Sequence, residues 1–160
     1  MIELQLFSEE HLDKTFHWMQ DDRLKNAFLL DKEINRQSHQ KWFDKLQKDE
    51  TQKMYAILYE GIHVGNVGLK NIDYGNKKAE CWIYMGDAEY KGKGIARRSL
   101  EALSQKMKGE FLKLYARIAD FNFPSIKTFT SAGYELEGIL QKEIIFKGKV
   151  LNIYRFYVIL

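Results

Sequence analysis

Between Lys53 and Ala119 the sequence changes its hydrophobic period from two to helical and back, and that order leaves few folds open. Lys53 to Tyr59 reads as a strand, Glu60-Gly61 as a turn and Ile62 to Leu69 as the return strand, which predicts a hairpin. Asp73-Tyr74-Gly75-Asn76 is a second turn, and Lys78 to Gly86 is the third strand of the run. Ile95, Leu100, Leu103 and Met107 then fall on one face of a helix from Ile95 to Lys108, with Gly109 as its stop. Phe111 to Ala119 returns to a strand. Hairpins make part of the sheet antiparallel, whereas the strand-helix-strand step from Lys78 to Ala119 requires a parallel crossover. A mixed α/β fold follows.

The flanks fit that frame. Ile2 to Phe7 alternates as a strand. Ser8-Glu9-Glu10 opens a helix carrying Leu12, Phe16 and Met19, because acids suit a positive helix end. A polar stretch from Asp21 to Lys25 leads into Ala27-Phe28-Leu29-Leu30. A second helix is predicted from about Ser38 to Lys48, with Trp42, Phe43 and Leu46 on its apolar face. After Ala119, Pro124 to Ala132 is a short helix with proline in its first turn and Gly133 beyond its end. Strands near Tyr134 to Gln141 and Val150 to Ile159 close the order.

A length of 160 residues suits one domain spanning 1–160. Hydrophobic residues at 45% and 10 Phe, 9 Tyr and 3 Trp are enough for a sizeable core. No apolar run reaches the ~18 residues of a membrane span, and MIELQLFSEE does not read as a secretory signal. One cysteine, Cys81, excludes an internal disulfide framework and a multi-cysteine zinc site, so a cytoplasmic location is expected. Lys and Arg number 25 against 22 Asp and Glu, and they are interspersed, which argues against a nucleic-acid groove. Neither nucleic acid nor membrane is an expected partner.

The densest basic cluster sits in Glu89-Tyr90-Lys91-Gly92-Lys93-Gly94-Ile95-Ala96-Arg97-Arg98, where a strand passes into a helix. Small residues at 92, 94 and 96 let backbone approach a ligand. Free amides at the helix start point at an anion, and the helix dipole favours negative charge there. A diphosphate is the natural ligand. The spacing matches neither G-x-G-x-x-G nor G-x-x-x-x-G-K-[ST].

Lys91-x-x-Gly94-x-Ala96 resembles the acetyl-CoA pyrophosphate loop, Gln/Arg-x-x-Gly-x-Gly/Ala, of the GNAT-type N-acetyltransferase superfamily. Asn122-Phe-Pro-Ser125, followed by a helix with Phe129 and then Gly133-Tyr134, resembles that superfamily's second signature. The element order matches too, so the resemblance covers nearly the whole chain. It implies a mostly antiparallel sheet flanked by helices, with one central parallel pair that splays between Met85 and Ala116 to Ala119. Acetyl-CoA would lie with its diphosphate at Lys91, Gly92, Lys93, Gly94, Ile95 and Ala96. Its pantetheine would pair with backbone from Ile83 to Met85, and Asn122, Ser125 and Phe129 would flank the thioester end. The implied reaction is acetyl transfer to the primary amine of a small acceptor.

Two positions depart from the family pattern. The tyrosine that usually protonates the leaving thiolate falls at Phe129, and a glutamate that some members carry falls at Arg117. Glu80 is the remaining base, sharing a strand face with Trp82 and Tyr84. Asp120 reads better as a turn residue, and Tyr84 and Tyr90 as packing aromatics with a hydroxyl to offer. Cys81 alternates away from Glu80 and reads as buried. His39, in Ser38-His39-Gln40-Lys41-Trp42-Phe43, resembles the His-x-x-Trp-Phe region that walls the acceptor site in GNAT enzymes of nucleotide-linked amino sugars. With Tyr84 it is the expected acceptor contact, and such an amino sugar the first expected acceptor. A protein N-terminal amine or a polyamine is the second, and a non-catalytic acyl-CoA-binding module is the alternative of a different kind. The aromatic Ile153 to Leu160 run suggests an edge strand for a homodimer. No metal spacing occurs among the histidines.

Overall fold

The computed structural model describes residues 1–160. Its elements are β1 (Ile2–Leu6), α1 (Leu12–Trp18), α2 (Asp22–Ala27), α3 (Arg36–Leu46), β2 (Lys53–Tyr59), β3 (Ile62–Asp73) and β4 (Lys78–Met85). Then come α4 (Ile95–Met107), β5 (Lys113–Ala119), α5 (Phe123–Ser131), β6 (Glu135–Phe146) and β7 (Lys149–Ile159). The seven strands form one sheet in the order β1-β2-β3-β4-β5-β7-β6. Every neighbouring pair is antiparallel except β4 with β5.

Local chemistry sets the joints. At the β2–β3 turn Glu60 and Gly61 both take positive φ, 50° and 78°, the pair of values that matches a hairpin's twist. Asp73 accepts the Asn76 amide at 2.9 Å and closes the β3–β4 turn. Asn35 starts α3 by accepting the Ser38 amide at 2.8 Å.

Strand alternation divides the core between the two faces of the sheet. On β2, Tyr55 and Ile57 join Leu100, Leu103 and Met107 of α4 in the larger cluster. Met54 and Ala56, pointing the other way, pack with Phe7 and with Phe43 of α3. Leu100 and Leu103 are fully buried, each worth about 1.5–3 kcal/mol of transfer free energy.

The central pair is where the sheet comes apart. β4 and β5 are in register only at Lys78–Lys113, Ala79–Leu114 and Glu80–Tyr115. Beyond these, β4 stays bonded to β3 as far as Met85–Gly65, and β5 to β7 as far as Ala119–Ile153. The strands therefore diverge as a wedge whose apex is Glu80, and each lip remains anchored on its outer side.

Two expectations are corrected. The polar stretch after Asp21 is a helix, started by the Asp21 carboxylate accepting the Arg23 amide at 2.9 Å. β7 is no edge strand, because β5 and β6 pair on its two sides. Its aromatic run is spent inside the sheet, and the free edges belong to β1 and β6.

Candidate active site

The wedge opens into a cleft of about 810 Å³. Ile83, Met85, Ala116 and Ile118 line it from the two lips, and Gly92, Gly94 and Ala96 from the loop before α4. Gly94 is the N-cap of α4, in the left-handed region at φ 72°. Gly92 has φ 76°, and a Cβ added at either glycine would meet only open space. The first intrahelical bond runs from Arg98 to the Gly94 carbonyl. The amides of Gly92 through Arg97 thus meet no acceptor in the chain, and a concave run of donors faces the cleft. Lys91 and Arg97 line it beside them. Lys93 does not, since its ammonium lies over the Tyr90 ring at 5.4 Å. An acidic diphosphate fits this cradle in charge and in backbone access.

At the other end, α5 contributes Asn122, Ser125 and Phe129 to the lining. Asn122 Oδ1 accepts the Ser125 amide at 3.3 Å and starts the helix, while Nδ2 remains to donate. Phe129 is buried edge-on against Tyr134, 5.0 Å between centroids. The Tyr134 hydroxyl is committed to Cys81 Sγ at 3.4 Å. Burial pushes the Cys81 thiol up to about 12, as expected of a packing residue rather than a nucleophile.

Glu80 stands at the apex, 5% exposed. Asn71 Nδ2 donates to one carboxylate oxygen at 3.1 Å, and the Lys70 ammonium lies 3.4 Å from the other. Trp82 and Tyr84 follow on the same strand face, and Phe28 closes over them edge-on at 6.1 and 5.4 Å. Aromatic faces beside a carboxylate suit a cationic nitrogen. Tyr84 contributes its ring and not its hydroxyl. Asn66 Nδ2 donates to that oxygen at 2.7 Å, and burial holds the phenol well above its ordinary range.

His39 is not part of this cleft. It is buried between α1 and α3, stacked on Trp42 at 5.0 Å and 5.5 Å from the Phe16 ring, and it borders a separate cavity of about 190 Å³. Its position on the inward face of α3 sets that placement. Asp120 accepts the Asn152 amide at 3.2 Å, as a turn residue would.

Sequence reasoning missed Phe28 and Leu29 on the far wall, because α2 (DRLKNA) has no apolar periodicity to announce a helix. The Asp21 cap was its one signal. Lys70 also lines the cleft, which only the strand register reveals, and Arg117 lines it at the position where the resemblance expected a glutamate.

Residues 2–135 match the family model described as an acetyltransferase (GNAT) domain. The chain belongs to the GNAT acetyltransferase family. Among curated GNAT relatives, the Escherichia coli K12 spermidine N(1)-acetyltransferase is 28% identical over 116 residues, which is 71% of this chain. The match spans only 61% of that relative's length. Among solved structures, the Vibrio cholerae spermidine N-acetyltransferase in complex with CoA and spermine superposes with a TM-score of 0.89 at 19% identity, covering 99% of this chain and 95% of that one. A ribosomal L7/L12 alpha-N-protein acetyltransferase in complex with CoA gives 0.88 at 20% identity, covering 99% and 94%. Likeness at such identities establishes the GNAT fold, and with it the wedge.

Proposed function

We propose that this protein is an acetyl-CoA-dependent N-acetyltransferase acting on the primary amine of a small acceptor. The observation that carries the reading is the wedge itself: a parallel pair that stops at Glu80–Tyr115, with unpaired amides from Gly92 to Arg97 at one end and a buried carboxylate at its apex. The named relatives act on polyamines and on a protein α-amine, so an alkyl or α-amine acceptor is the better-supported class. The nucleotide-linked amino sugar loses its residue-level argument, because His39 stands away from the cleft.

The chemistry needs few groups. Acetyl-CoA supplies an activated acetyl carbonyl. An alkyl amine is protonated near neutrality, with a pKa of about 10, and must lose a proton before it attacks. Glu80 takes that proton, directly or through one water. Asn71 and Lys70 hold its carboxylate in place. As the N–C bond forms, backbone amides of the β4 lip stabilise the carbonyl oxygen. The C–S bond then breaks, and the thiolate takes its proton from solvent, because Phe129 has none to give. A thiol of pKa about 8.5 leaves tolerably without help.

The test is a thiol-release assay with acetyl-CoA against a panel of amines, alongside calorimetric binding of acetyl-CoA. Turnover with any primary amine supports the reading. Tight binding with no turnover would favour a coenzyme-binding module, for which the Phe129 position is the motive.

A further inference from the structure

Lys70, Glu80, Tyr115 and Arg117 share one face of the sheet. Lys70 pairs with Glu80 across β3–β4, Glu80 with Tyr115 across β4–β5, and Arg117 lies two residues beyond Tyr115. The acceptor end of the cleft therefore carries Glu80 between two cations, with Lys127 of α5 adding a third to the lining and Glu143 standing beside Arg117. Lys91 and Arg97 do not alter that balance, since they flank the loop before α4 at the other end.

Arg117 is the less committed cation. Its nearest acid, Glu143, is 3.7 Å away, too far for a hydrogen bond. By contrast, Arg155, opposite it in register, donates to Glu137 at 2.7 Å and covers the Tyr115 ring at 3.8 Å. Arg117 lines the cleft with its guanidinium donors unspent, and its side chain is 34% exposed. Ideal strand geometry puts its Cα roughly 8 Å from that of Glu80, and the splay widens the gap.

Resting on the acetyltransferase reading above, we propose that the acceptor carries an anionic group of its own, a carboxylate or a phosphate, that Arg117 receives while Glu80 receives the amine. A guanidinium fork binds either anion. A polyamine would set a second ammonium against Arg117 and Lys70, where like charges repel.

Four-carbon amines that differ at the far end test this: 4-aminobutyrate, butylamine and putrescine, with 3-aminopropyl phosphate to separate the two anions and spermidine as the polycation. The expected kcat/KM order places an anionic amine first, butylamine next and putrescine last, with about a tenfold span or more. Arg117→Gln should raise KM for the anionic amine about tenfold and keep its kcat, with a much smaller change for butylamine. Arg117→Lys should restore most of the loss, and Arg117→Glu should move preference toward putrescine, with thermal melts confirming that each variant folds. Best turnover on putrescine or spermidine would overturn the inference alone. So would an Arg117→Gln effect equal for all amines. Absence of turnover on every amine would overturn the acetyltransferase reading and this inference with it.

Discussion

Glu80 is buried, yet it is held by one amide and one ammonium rather than locked into a dense network. Glu80→Gln keeps the shape and the Asn71 contact but removes the basic charge. Turnover should fall about 10²–10⁴-fold with acetyl-CoA affinity unchanged, measured by steady-state kinetics and calorimetry. Phe129 calls for the opposite substitution. Phe129→Tyr adds a hydroxyl to a ring only 2% exposed, packed against Tyr134 and lining the cleft. If thiolate departure limits the rate, turnover should rise, most clearly toward high pH, where solvent protons are scarce and a phenol is still protonated; an unchanged pH–rate profile would mean that another step is slow.

Among the elements, the loop into α4 and the strand end at Gly86 show two different uses of a missing side chain. Gly94 has positive φ and open space around it, so Gly94→Val is penalised by backbone strain of about 1–2 kcal/mol and by obstruction of an incoming diphosphate. Acetyl-CoA affinity should drop sharply while the protein remains folded. At Gly86 a Cβ would overlap the Trp18 ring. Gly86→Ala should therefore cost stability directly, about 1–3 kcal/mol in a denaturant melt. These elements also mark what sequence could tell. β2, β4 and α4 were legible almost to the residue, because period and turn residues agreed. The backbone shape of the loop before α4 was legible because glycine spacing records it. α2 was not, since its stability comes from a cap and from contacts distant in sequence rather than from an apolar stripe. Nor was Lys70 as a cleft residue, because a register between neighbouring strands leaves no local trace of which face opens onto a cleft. His39 misled because its motif fixed a helix position without fixing which side of α1 the ring would meet.

The molecule as a whole buries two histidines, His11 and His39, and half-buries a third, His63. Burial lowers the pKa of His11, His39 and His63. Each therefore binds a proton more readily in the unfolded chain than in the folded one. Above the unfolded value of about 6.5 all are neutral in both states and cost nothing. As pH falls from there toward the lowered folded values, protons favour the unfolded chain and stability is lost. Melting temperature should hold between pH 7 and 8 and decline toward pH 5, and replacing His63 with Gln should flatten the decline. Ligand acts in the other direction. Acetyl-CoA at 100 times its Kd should add about 2.7 kcal/mol, or roughly 5–10 °C in a chain of this size.

The wedge gives the sheet a mechanical seam. Strands β1 to β4 make one slab and β5, β7 and β6 another, and the backbone pairing that stitches them along the seam ends at Glu80–Tyr115. A ligand arm lying between Ile83 and Ala116 would bond to both lips like a missing strand, riveting the slabs. Deuterium uptake would register that rivet. Amides on the facing lips should exchange fast in the free protein and slowly once acetyl-CoA is added, while those of β2, two strands away from the lip, should keep the same pace throughout.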